Sequence, residues 1–196
     1  LDCYHTALDR ADTTSTDCNY ALLCRIHAQA ARIFKEQYIP EEASSELNEA
    51  VRCSKKANDT LTALYCYENK LPIYYQAGQY DSVLIHTKII HNEYWERGLY
   101  DRAASCLSPA IFVLIHRRQL QEAKEYINIY ERYSKRAGNT SNKQGMYYTY
   151  LGYYHLYNNC LDSSLFYFYQ QLEYKDRINN HVLAYHGLFD TYQKAN

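Results

Sequence analysis

A period of forty residues constrains this chain more than any other feature. Four segments, 41–50, 80–90, 120–130 and 161–171, each carry a small or slim residue shortly after a polar start. These are Ala43, Val83, Ala123 and Ser164, at intervals of 40, 40 and 41. Four and seven residues later come Leu47 and Ala50, Thr87 and Ile90, Ile127 and Tyr130, Phe168 and Gln171. Offsets of four and seven fall on one stripe of an α-helix. A unit of this size cannot bury its apolar stripe alone, so a regular repeat points to stacked units that share a continuous core.

Upstream of each anchor lies a second apolar helix, predicted at roughly 20–37, 60–77, 102–118 and 145–158. Ala31, Leu71, Ile111 and Gly152 stand twelve residues before the anchors, and Phe34, Tyr74, Leu114 and His155 nine before. The connections are short and polar. Gly78 and Asn159 fall where the first helix must end, and both residue types accept a left-handed cap. Each unit therefore reads as helix A, a tight turn and helix B. The boundaries are 20–58, 59–98, 99–138 and 139–178, all within one array spanning 1–196. Residues 1–19 form an unpartnered helix and loop, and 179–196 the first helix of a fifth unit. Ala43, Ala50, Gly152, Ser164 and Gly187 are the expected points of close helix approach. Pro72 and Pro109 fall inside helices A and are expected to kink them. Only 6 Gly and 3 Pro are present, against roughly 12% expected for the two together, which favours long helices over a fold of many turns.

The pattern resembles the tetratricopeptide repeat. The best local matches are Leu151-Gly152 with His155, and Ala31 with Phe34, Ala43, Leu47 and Ala50. It departs from that family in its longer period, against about 34 residues, and in lacking the terminal Pro of the consensus. The resemblance implies an all-α, right-handed superhelical solenoid of stacked antiparallel pairs. About four full units would carry half-units at both ends, with helices A lining a concave groove. It also implies which side chains face that groove: from the four units, Arg25, Arg32 and Lys35; Tyr65, Asn69 and Tyr75; Phe112; and Tyr150, Tyr153 and Tyr157. The first unit is cationic and the fourth aromatic, which suits a ligand with an acidic end and an apolar end. The Lys/Asn pattern of arrays that clamp a terminal carboxylate is not reproduced. Tyr is 24 of 196 residues, an excess suited to half-buried walls, and the tyrosine stripe reads equally as groove or as core. The segment 147–157 is apolar nearly all round, so it is expected to be buried on two fronts.

Lys+Arg is 21 and Asp+Glu 22. A balanced chain lacks the basic excess of a nucleic-acid or anionic-membrane binder, and no apolar run is long enough to span a bilayer. The 7 cysteines are scattered without C-x-x-C spacing. They read as free thiols filling helices, which favours the cytoplasm, with a periplasmic sensor tethered to a membrane as the alternative. The chain opens on Leu1 and its single Met is Met146, so a piece of a longer protein is expected.

No metal site is expected. The pairs His86/His91 and His181/His186 are five apart and diverge around a helix. No phosphate-binding Gly loop or serine elbow is present, so neither a cofactor nor catalysis is expected. The sequence therefore points to a non-enzymatic helical repeat that holds a protein or peptide in its groove, with self-association through the open array ends as a further partner. The resemblance suggests the sensor or scaffold part of a larger bacterial signalling protein, such as a transcriptional regulator. A free-standing adaptor is the alternative, and an α-solenoid enzyme whose residues converge only in space is a weaker one.

Overall fold

The computed structural model describes Thr6 and residues 18–138, 140–174 and 178–195, and among them the chain is all-α. The expected helix at 1–19 lies almost wholly outside the described residues. Ten helices follow in chain order: α1 (Tyr20–Glu36), α2 (Pro40–Lys56), α3 (Thr60–Gln76), α4 (Tyr80–Glu96), α5 (Tyr100–Ser105), α6 (Ser108–His116), α7 (Leu120–Arg136), α8 (Ser141–Tyr157), α9 (Leu161–Leu172) and α10 (Ile178–Ala195). The forty-residue period resolves into two twenty-residue steps. Helices begin at 20, 40, 60, 80, 100 and 120, most of them 17 residues long, and three-residue links join them.

One backbone device ends these helices. The middle residue of each link is left-handed: Tyr38, Asn58, Gly78, Gly98, Arg118, Gly138 and Asn159, with φ from 54° to 96°. At the first link the Ile39 N–H donates to the Phe34 carbonyl at 2.9 Å, and the Tyr38 N–H to the Lys35 carbonyl at 3.2 Å. This is the Schellman pattern, which satisfies carbonyls the helix leaves open. The same pair of bonds recurs at Asn58–Asp59, Gly78–Gln79, Gly98–Leu99, Arg118–Gln119 and Asn159–Cys160.

Side-chain caps are sparser. Asn19 accepts from the Leu22 N–H at 3.0 Å and opens α1. Asp59 accepts from the Thr62 N–H at 3.0 Å and the Thr62 hydroxyl at 2.6 Å and opens α3. Those two bonds hold the Asp59 carboxyl below its ordinary pKa, the hydroxyl contributing most.

The prolines part company. Pro72 lies inside the continuous helix α3. The helix containing Pro109 is interrupted at Cys106–Leu107, and Pro109 falls in the first turn of α6, where its missing N–H leaves no helical bond unmade.

The chain divides into two compact units, Leu1–Gln79 and Tyr80–Asn196. The division falls between the two helices of the second repeat. In the first unit α2 packs against both α1 and α3. The α1–α2 pair is antiparallel: the Cys24 thiol donates to the Ala50 carbonyl at 3.0 Å, and His27 meets Glu46 at 2.7 Å. In the second unit α4 packs on α5 and α6, α7 on α5, α6 and α8, and α8 on α6, α9 and α10. Neighbouring repeats are joined by rings: Trp95 stacks on Tyr133 at 4.4 Å, and Phe112 meets Tyr153 edge-on at 5.8 Å.

The repeat stripe is the core. All four anchors, Ala43, Val83, Ala123 and Ser164, have no exposed surface, and every residue four or seven positions after them is buried. Gly152 and Gly187 flank one ring. A Cβ at Gly152 would lie 2.5 Å from Phe168, and one at Gly187 would lie 2.1 Å from it, so only glycine admits this approach.

Candidate functional site

Four of the ten expected groove residues line one cleft in the first unit. Residues of α1 and α3, which hold the same position in successive repeats, line this open cleft together with Leu47 of α2. It encloses about 260 Å³, including space open to solvent. The floor is apolar: Ala31, Leu47 and Ile73, all buried, with Ala28 beside them. Arg32 and Lys35 from α1 and Tyr65 and Asn69 from α3 form the rim. The forty-residue period produces this arrangement, because it returns Tyr65 and Asn69 to the positions that Arg25 and Gln29 hold on α1.

The rim supplies hydrogen-bond donors. Arg32 Nη1 donates to Glu36 at 3.1 Å and its Nε donates to Gln29 at 3.1 Å. Both Arg32 and Glu36 are more than half exposed. A surface pair of this kind contributes only about 0.5 kcal/mol, so Arg32 is free to exchange it for an incoming acceptor. Lys35 is exposed and makes no ion pair among the described residues. Asn69 spends one donor on the Tyr65 carbonyl at 2.8 Å, keeping its amide oxygen and one N–H. The enclosed part of the cleft has room for about one water molecule, which suits the tip of a side chain rather than a whole small-molecule ligand.

The other expected residues have different surroundings. Arg25 is exposed on α1 and Tyr75 half-buried on α3, and neither lines the cleft. Tyr150 is not a surface residue at all. It is completely buried, hydrogen-bonded to the Ser108 hydroxyl, and edge-on to Phe112 at 5.4 Å and Tyr130 at 5.0 Å. Burial drives its pKa well above the ordinary tyrosine value. Phe112 and Tyr153 are half-buried packing between helices. Tyr153 lies 5.0 Å from Phe168, and its hydroxyl donates to the Leu183 carbonyl at 2.9 Å. Tyr157 lies beside His116 at 5.7 Å and beneath the Arg118 guanidinium at 5.4 Å. In α8 the tyrosine stripe is core before it is surface.

Sequence reasoning passed over Lys70. It is buried on α3, bonded to the Asn48 side chain and near the Tyr67 ring at 5.6 Å, and burial lowers its pKa. The only available signal was a lysine directly before Leu71 in an apolar stretch. Of the floor residues, Leu47 was legible as core though not as the base of a cleft, and Ile73 was not singled out.

Three buried thiols of the first unit are poorly suited to nucleophilic chemistry. Cys24, Cys53 and Cys66 are buried and their pKa values raised, that of Cys66 to about 12, chiefly by burial. They stay protonated, and the thiolate is the nucleophile. Among the described residues no cluster of three His, Cys, Asp or Glu could hold a metal, and no helix is long and apolar enough to cross a membrane. No protein-family model and no curated protein matches the chain.

Proposed function

We propose that this chain is a non-enzymatic helical repeat of the tetratricopeptide-like kind that recognises a segment of another protein, with the α1–α3 cleft as its reading site. The observation that carries the proposal is the cleft: a buried apolar floor ringed by Arg32, Lys35 and Asn69, whose donors are exposed and only weakly engaged. A segment lying along α1 would place one apolar side-chain tip over Ala31 and Leu47 and offer carbonyl or carboxylate oxygens to the rim. Helical grooves recognise peptides through such spaced anchors. The kinship to tetratricopeptide arrays rests on the helix pairs and on small residues at the crossings. The seventeen-residue helices account for the longer period. A sensor or scaffold role within a larger bacterial signalling protein follows from that kinship.

The test is selection from a library of random peptides displayed on phage, with the full 196-residue chain as bait. Enriched peptides are then measured against Arg32→Glu/Lys35→Glu and against Asn69→Ala. The reading expects at least tenfold weaker binding to the double variant. Equal binding to all three chains would remove the cleft as the reading site, and a library that yields no binder would remove peptide recognition.

A further inference from the structure

We infer that the α1–α3 cleft is one end of a longer, two-sided groove, and that its occupant is an extended internal stretch of another protein in which acidic and apolar residues alternate. This rests on the cleft as the reading site and names what that site reads. The groove continues because the two helices stay together beyond the cleft. The Cys66 thiol of α3 donates to Cys24 Sγ of α1, and both cysteines belong to one buried core. Their chain neighbours Tyr65 and Arg25 are exposed. Leu61 lies one turn before Tyr65 and is 46% exposed, so the two form an apolar ledge on α3. The walls differ in charge. Helix α1 carries Arg25, Arg32 and Lys35, all exposed, against one carboxylate, Glu36, which Arg32 holds in a weak surface pair. On α3 no exposed residue is charged: Glu68 is half-buried and Lys70 buried.

Charge and spacing select the occupant. Arg25 and Arg32 are seven residues apart on one stripe of α1, about 10 Å along its axis. On α3 the eight residues from Tyr65 to Ile73 span about 12 Å. An extended chain covers that distance in about four residues and sends alternate side chains to opposite sides. Apolar side chains four apart therefore reach both the floor beside Ile73 and the Leu61–Tyr65 ledge. The positions between them face Arg25 and Arg32, where carboxylates complement the cationic wall. Complementary charge of this kind sets which partner is admitted and in what register. Cations spread along a helix match side-chain carboxylates spaced along a segment, whereas a lone terminal carboxylate would meet only one of them.

Fluorescence anisotropy with short acetylated and amidated peptides tests the inference on the full chain. One peptide alternates leucine with glutamate, one alternates leucine with glutamine, and one holds the same leucines and glutamates in two blocks. The chain should bind the alternating acidic peptide at least tenfold more tightly than either of the others, with the advantage shrinking as salt is raised. Arg25→Glu should weaken that peptide at least tenfold and leave the leucine–glutamine peptide unchanged, whereas Leu61→Ser should weaken both. Arg25→Glu/Arg32→Glu should gain an alternating leucine–lysine peptide, and this gain also shows that the variant folds. If Arg32→Glu/Lys35→Glu loses the acidic peptide while Arg25→Glu and Leu61→Ser keep it, the longer groove is overturned and the cleft still stands. Equal binding of the alternating and block peptides, or no binding of the alternating acidic one, would overturn the inference as well. Indifference of that peptide to every variant would remove the cleft with it.

Discussion

Tyr38 and Arg118 occupy left-handed backbone where glycine costs least, and they do so because the link geometry is imposed at every turn of the array. A side chain there costs about 1 kcal/mol. Tyr38 is 89% exposed, so its ring gives little packing in return. Tyr38→Gly should therefore raise unfolding stability by about 1 kcal/mol in urea denaturation. Arg118→Gly should gain less, because the Arg118 guanidinium also covers the Tyr157 ring.

Asp59 is the opposite case, a residue well matched to its site. Asp59→Ala removes the cap of α3 and should cost about 1 kcal/mol at neutral pH. The folded pKa of Asp59 lies below its unfolded value of about 3.9, so its contribution is present above that pH and lost as pH falls through the folded value. The gap between wild type and variant should narrow below about pH 4. A gap of equal size at pH 7 and pH 3 would contradict the cap assignment.

At the scale of the element, the decisive contact is one ring between two glycines. Gly187→Ala would drive a methyl group into the fully buried Phe168, and overpacking of this kind costs about 1–3 kcal/mol. Phe168→Ala alone should cost about 3–5 kcal/mol by leaving a cavity. The two together should cost less than their sum, since the cavity accommodates the methyl, and a double-mutant cycle measures the difference. Strict additivity would mean that α10 does not dock through this ring.

The sequence was most informative at this scale. The buried stripes follow from offsets of four and seven, the glycine crossings from small residues at the expected points of close approach, and all the anchors are buried. The break at Cys106–Leu107 was not legible, because Pro109 marks a disturbance without saying whether the helix bends or restarts. The role of Tyr150 was hidden for a related reason. A helix apolar all round shows no preferred face, so periodicity cannot separate groove from core. The rim of the cleft was easier to anticipate, because α1 alternates exposed cations with buried alanines, and only one face can hold each.

At the scale of the molecule, contacts within each unit run between sequence neighbours. In such arrays stability spreads from repeat to repeat rather than through one shared centre. Hydrogen exchange on Gly187→Ala should show lost protection in α8–α10 and unchanged protection in α1–α3. Equal loss throughout the chain would mean that the two compact units unfold as one.

The proposed function rests above all on the α1–α3 cleft as the reading site. Backbone amide shifts, recorded by NMR while a phage-selected peptide is titrated into the full chain, test it most directly. Binding in the cleft should give the largest changes along residues 28–35 and 65–73, with Leu47 moving beneath them. Changes confined to other helices, with those two stretches silent, would contradict it.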